Sequence, residues 1–179
     1  MSGVGGILSF WFGPDARGKW FRPDAAFDAL IRSRFLGRYE EARAGGLASW
    51  ARDSDGALAL VLLLDQFPRN MFRGQSQAFA TDAMALGVAD AAIARDLDLA
   101  QAADRCGFFY LPFMHAEDLA AQRRCVELIA NRGGGTTMWA EKHLRIVERF
   151  GRFPHRNAVL GRPSSPDEIA FLKQPGSSF

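Results

Sequence analysis

Three polar groups interrupt an otherwise strongly apolar chain. In ALALVLLLDQFPRNMFRG, from Ala57 to Gly74, eight apolar residues run directly into Asp65, Gln66, Arg69, Asn70 and Arg73, which fall at helical spacings of three, four and seven. GRFPHRN, near the far end, holds Arg152, His155, Arg156 and Asn157, and YLPFMHAE between them supplies His115 and Glu117. Guanidinium groups match the oxygens of a carboxylate or phosphate bidentately. A histidine beside a carboxylate and an arginine can act as general acid or base near neutral pH. These residue types point to a pocket for a small anionic ligand, with Asp65, Arg69, Asn70 and Arg73 on one side, Arg152, His155, Arg156 and Asn157 on the other, and His115 and Glu117 near. The arginines would hold the anion and Asp65 would orient an arginine or a histidine. His115 or His155 would carry a proton if there is chemistry, so whether the chain is an enzyme stays open.

A plainer reading competes. A buried guanidinium must be paired, because an uncompensated internal charge costs about several kcal/mol. Asp65, Asp82, Glu117 and Asp118 could pair with Arg69, Arg73, Arg152 and Arg156 as clamps between helices, which would make the motifs architectural. If only Asp65 and Glu117 are near enough, positive charge is left over for a ligand. Histidines in such motifs are often satisfied core or capping groups, and no nucleophile or oriented dyad is readable. No cofactor or metal is expected: His115 and Glu117 diverge on an ideal helix, and His115 with Asp118 is only half a site. Gly3-x-Gly5-Gly6 follows no strand, and Gly133 to Thr137 lacks the lysine of a phosphate loop. GxSxG, HExxH and zinc-deaminase signatures are absent from the sequence.

The elements that must position these groups read as helices throughout, with no alternation of period two. Asp24 can cap a helix to about Ala44 with Phe27, Leu30, Ile31, Phe35 and Tyr39 as its apolar stripe, ended by Gly45-Gly46. A short helix holds Leu47 and Trp50, and Asp53 to Gly56 breaks the chain before the long apolar helix, which reads as the central buried element. Pro68 cannot donate to the carbonyl four residues back, so that helix stops or kinks and the polar group sits at an irregularity. Further helices are expected over Gln77 to Asp96, with Phe79, Met84, Leu86, Ala89 and Ile93 packing, over His115 to Asn131, and over Thr137 to Phe150, stopped by Gly151. Ser165-Pro166-Asp167-Glu168 combines an N-cap, a first-turn proline and a capping-box glutamate, which starts a last helix to about Lys173. The aromatic residues Trp11, Phe12, Trp20, Phe21, Phe108, Phe109, Tyr110 and Phe113 read as core more readily than as a cleft lining. FPRN and FPHRN echo one another without establishing a repeat.

Composition bounds the rest. The 179 residues, 48% apolar, 12% aromatic and 23% charged, fit one soluble globular domain, with residues 174–179 a frayed tail. The net charge of +2 comes from 22 basic and 20 acidic residues that are interspersed, without the basic stripe of a nucleic-acid binder. Cys106 and Cys125 lack metal or redox spacing and read as reduced thiols. With no signal-peptide pattern and no apolar run near the roughly 20 residues that span a bilayer, a cytoplasmic location with no membrane contact is expected.

ILSFWFG, LLLDQFPRNMFRG followed by AFATDAMAL, YLPFMHAEDLAAQ, and FGRFPHRNAVLGRPSSPDEIAFL together resemble the bacterial family known as domain of unknown function 924, over nearly the whole chain and in the family's order. The resemblance implies an all-α, multi-helical fold similar to tetratricopeptide-repeat proteins, although the usual 34-residue repeat consensus is not readable, and it implies no activity. It also brings a rival to the anion pocket, a module whose concave helical surface takes up a peptide or protein partner while the polar motifs are structural. Met114 and Ala116 flank His115, where the family typically has a serine in the second position, so no role needing a hydroxyl beside that histidine is expected.

Overall fold

The computed structural model describes residues 3–178; Met1, Ser2 and Phe179, the last residue of the expected frayed tail, lie outside them. Every regular element among the described residues is helical. Helices α1 (Val4–Trp11) and α2 (Pro14–Arg17) lead to the long α3 (Ala25–Arg43), which starts where the Asp24 carboxylate accepts the Phe27 N–H at 2.9 Å. Phe27, Ile31, Phe35 and Tyr39, spaced by four, form its buried face together with Ala42. Leu30 falls off that line and is exposed, contrary to expectation.

A 3-10 turn, Ala48–Arg52, precedes α4 (Ser54–Val61), which Asp53 caps through the Gly56 N–H. The break expected through Gly56 is therefore shorter, because one cap residue suffices. Residues Gly56 to Val61 are all buried, and α4 packs against α1 and the later α6. The irregularity expected near Pro68 is a π turn, Leu62–Gln66, that continues without a stop into α5 (Phe67–Met71), which packs on α3. Pro68 takes a first-turn position of α5, where a missing N–H costs least.

The helix expected over Gln77 to Asp96 divides. A 3-10 turn, Ser76–Phe79, precedes α6 (Asp82–Ile93), and at the break the Thr81 hydroxyl donates to the Leu64 carbonyl at 2.6 Å. Met84 lies exposed, and Ala85, Ala89, Ala92 and Ile93 form the buried face. After α7 (Ala103–Cys106) come α8 (Leu111–His115) and α9 (Leu119–Arg132). The single helix expected from His115 is thus corrected: His115 ends α8, Ala116 is extended, and the Asp118 carboxylate restarts the helix by accepting the Ala121 N–H. Glu117 sits in that turn, so ideal-helix angles do not govern it.

Helix α10 (Thr137–Phe150) packs on α9 and ends at Gly151, whose φ of 68° is the left-handed conformation a glycine stop supplies. A 3-10 turn, Pro154–Arg156, and α11 (Pro166–Leu172) with its capping box complete the fold. Within the tail, Ser177 is buried and donates to the Leu172 carbonyl at 3.1 Å. One large apolar cluster runs from α1 to α10, and Ile146, Val147 and Phe153 form a small second one. Of the eight aromatic residues expected in the core, Phe21 is 72% exposed, though its ring still stacks on Phe108. Among the described residues no helix is long and apolar enough to cross a membrane.

Candidate functional site

The π turn buries Asp65 completely and surrounds its carboxylate with donors. Gln66 Nε2 donates to Oδ2 at 2.5 Å, Arg69 Nη1 lies 3.2 Å from Oδ1, and His115 Nδ1, arriving from the end of α8, lies 2.8 Å from Oδ1. Burial alone would push this carboxyl's pKa up. The Arg69 charge, the His115 ring and the Gln66 hydrogen bond outweigh it and hold Asp65 well below the usual carboxylate range. His115 shifts the other way: burial, then repulsion by Arg69, outweigh the pull of Asp65 and lower its pKa. The pair at neutral pH is therefore a carboxylate and a neutral imidazole. An ionised carboxylate only accepts, so the ring proton sits on Nδ1 and the Nε2 lone pair is available. Nε2 has no hydrogen-bond partner among the described residues.

Asp82, the first residue of α6, joins the two distant arginine motifs. It takes both ends of the Arg69 guanidinium, at 3.0 and 3.1 Å, and also accepts from Arg156 Nη1 at 3.3 Å. Arg156 is 7% exposed, its guanidinium carbon 4.6 Å from the Phe79 ring centroid and 4.7 Å from that of Phe153. Its Nε is enclosed, with no acceptor among the described residues. Burial, followed by repulsion from Arg69, lowers its pKa to about 10 despite Asp82 and Glu117. His155, its neighbour, is pushed down to about 4 by burial and then by the Arg156 charge. The Arg69, Asp82 and His115 side chains keep 20, 19 and 16% of their surface, so the cluster reaches solvent.

The remaining motif residues serve other contacts. Arg73 grips Asp28 of α3 through Nε at 2.7 Å and Nη2 at 2.9 Å, and Asn70 donates to the same carboxylate. Arg152 is bidentate to Glu168, which is drawn down to about 2 by that bond and by the Ser165 N–H. Glu117 accepts the Phe153 N–H at 2.7 Å and is gripped by Arg162, which outweighs burial and lowers its pKa. Asn157 bonds Ser164 and Arg162.

The structure thus unites Asp65, Arg69, His115 and Arg156 around Asp82, with His155 at the border. It does not bring Asn70, Arg73, Arg152 or Asn157 into that cluster. The expected surplus of cations is corrected, since each of the four motif arginines meets a carboxylate. The partners differ in part from those foreseen: Asp28 and Glu168 replace Glu117 and Asp118, because Glu117 is taken by Arg162 and Asp118 by the α9 cap. Phe79, Phe153 and Arg162 carried no signal beyond their places beside the motifs. Two surface cavities, about 400 and 210 Å³, are lined by other residues, Phe12, Asp55 and Arg105 in the larger and Arg124, Leu128 and Arg132 in the smaller. Among the described residues no three His, Cys, Asp or Glu side chains converge as a metal site.

A profile described as bacterial protein of unknown function, DUF924, matches residues 7–176. The chain is also similar to the solved structure of a protein of unknown function, ATU0120 from Agrobacterium tumefaciens, with 48% identity and a TM-score of 0.89 over 95% of this chain and 96% of that one. None of the curated proteins matches it.

Proposed function

From the premise that this chain belongs to the DUF924 family of bacterial proteins of unknown function, we propose that it binds a small anion at Arg156 and can move a proton at that anion through the Asp65–His115 pair. One observation carries the reading. Arg156 is buried, shares with Arg69 the one carboxylate it meets among the described residues, and keeps an Nε with no acceptor among them. An undercompensated internal charge of this kind is costly, and a bound anion relieves the cost. The neutral His115 of the same cluster, oriented by a buried carboxylate, has the form of a general base. The two free, buried cysteines fit a cytoplasmic location.

Thermal-shift measurements against phosphate, nucleotides and small carboxylates test it, with the Arg156→Ala variant alongside. A true ligand at a hundredfold excess over its dissociation constant stabilises by about 2.7 kcal/mol. That gain should vanish in Arg156→Ala. If none of the anions stabilises the protein, the reading fails.

The second reading, a tetratricopeptide-like interaction module with architectural polar motifs, draws its support from the Arg73–Asp28 and Arg152–Glu168 pairs, each bidentate through Nε and Nη2, which tie elements together. It requires that Arg156→Ala lose stability without any ligand effect.

A further inference from the structure

We infer that Gln122 is a positioning residue for His115, its amide nitrogen holding the backbone on both sides of that histidine so that the ring meets Asp65. This deepens the reading above and rests on it for the task of the ring. Gln122 closes the segment YLPFMHAEDLAAQ and stands on α9, one helix beyond His115. It is fully buried. Its Nε2 donates to the carbonyls of Met114 and Ala116, both at 2.7 Å, and lies 3.3 Å from that of Phe113. Two protons serve three acceptors, so the two nearer carbonyls take one each and the third shares. The amide cannot be turned round, because its oxygen would then face carbonyl oxygens. Oε1 meets no donor among the described residues, so the nitrogen is what ties this side chain to α8.

The identity of the acceptors assigns the role. Helix α8 has five residues, and a helix so short is weakly held by its own hydrogen bonds. His115 is its last residue and Ala116 is extended, so the chain leaves the helix where the ring must be aimed. Gln122 pins the peptide before His115 through the Met114 carbonyl and the peptide after Ala116 through the Ala116 carbonyl. The peptide between them is held by the Ala116 N–H on the Phe113 carbonyl at 3.2 Å. With three successive peptides fixed, the direction of the His115 Cβ is set, and Asp65 has only to select the rotation of the ring. The support is firm, since α9 is capped by Asp118 and packs on both α8 and α10.

Long-range ¹H–¹⁵N spectra of the full chain test the inference through Gln122→Met, which keeps the length of the side chain and removes the donor. Asp24→Ala, which removes the α3 cap, is the control for lost stability alone. The titratable and charged groups around the ring, Asp65, Arg69, Asp82 and His155, are unaltered in both variants. In Gln122→Met the Nδ1–H form of His115 should lose population to the Nε2–H form. Its titration midpoint should also rise by about 0.5 pH unit or more toward 6.5, as the ring loosens from its buried place. Neither change should occur in Asp24→Ala. Should Gln122→Met not fold, the unaltered protein gives the answer: the Gln122 side-chain amide resonances should move with the His115 titration and share its midpoint. A folded Gln122→Met with the His115 spectrum of the parent, an equal change in Asp24→Ala, or a Gln122 amide indifferent to the His115 titration would overturn the positioning role and leave the anion reading standing. A silent anion screen beside the expected change in Gln122→Met would do the reverse.

Discussion

The hydroxyl of Thr81 donates at 2.6 Å to the carbonyl of Leu64, the group four residues before Pro68 that the proline has no N–H to reach. A side chain 17 positions away thus serves the place where the central helix changes register, and the same contact fixes the start of α6, whose first residue is Asp82. The break in one helix and the beginning of another are a single event.

Replacing that hydroxyl by a methyl group should therefore be felt. Thr81→Val keeps the volume and removes the donor, and should lower stability by about 1–2 kcal/mol, within the range for a buried hydrogen bond. Urea unfolding followed by circular dichroism gives the number. A variant as stable as the parent would mean the contact contributes nothing.

Arg69 and Arg73 share one motif but should respond very differently. Arg69 compensates the fully buried Asp65, so Arg69→Ala should cost about 3–5 kcal/mol. Arg73, 44% exposed in its pair with Asp28, should cost no more than about 1 kcal/mol on truncation. Equal losses in denaturant unfolding would contradict the burial argument.

Gly56 lies inside α4, where alanine ordinarily favours the helix by about 1 kcal/mol over glycine. Here an added Cβ would stand 2.1 Å from the Trp50 carbonyl oxygen, which is backbone and cannot swing aside. Gly56→Ala should destabilise by roughly 1–3 kcal/mol or more, the usual cost of overpacking. A rise in melting temperature would refute the close approach.

Acid should weaken the fold through its buried histidines. His143 and His155 are both lowered to about 4 by burial, and His115 is lowered as well. As pH falls below the ordinary histidine value of 6.5, the unfolded chain takes up protons that the folded chain refuses, so the stability present above 6.5 declines until the folded histidines protonate near 4. At about 1.4 kcal/mol per tenfold difference in proton affinity, the two strongest shifts amount to roughly 3 kcal/mol each before solvent screening. Denaturant midpoints at pH 7.5, 6.5, 5.5 and 4.5 should fall steadily across that window; a flat profile would be decisive against it.

The tautomer of His115 is open to direct measurement. At pH 7 its long-range ¹H–¹⁵N spectrum should show a neutral ring with the proton on Nδ1, facing Asp65. Asp65→Asn should shift the population toward the Nε2–H form, as the acceptor loses its charge. A protonated ring, or a proton on Nε2 in the unaltered protein, would exclude the general-base role.

Local patterns carried much of the fold. The Asp24 cap, the stripe from Phe27 to Tyr39, the Gly151 stop and the Ser165 capping box depend on contacts within a few residues, which spacing and residue type dictate. The apolar run before Asp65 likewise required the interior, since it has no polar face to turn outward. What the sequence left open was partnership. Leu30 and Met84 sat at plausible packing positions and lie exposed, and Asp118 and Glu117 were possible arginine partners but serve a helix cap and Arg162. Asp28 meets Arg73 across 45 residues, and Asp82 meets Arg156 across 74. Such pairings follow from how helices approach one another, and no local rule encodes them because each guanidinium has several carboxylates to choose from. The sequence alone determined that the chain is helical, where α3, α10 and α11 begin and end, and that two arginine motifs flank a histidine segment. Only the tertiary structure decided that Asp82 joins those motifs, that Asp65 orients His115, and that Arg156 keeps an unanswered donor, because charge compensation in an interior is settled by three-dimensional proximity.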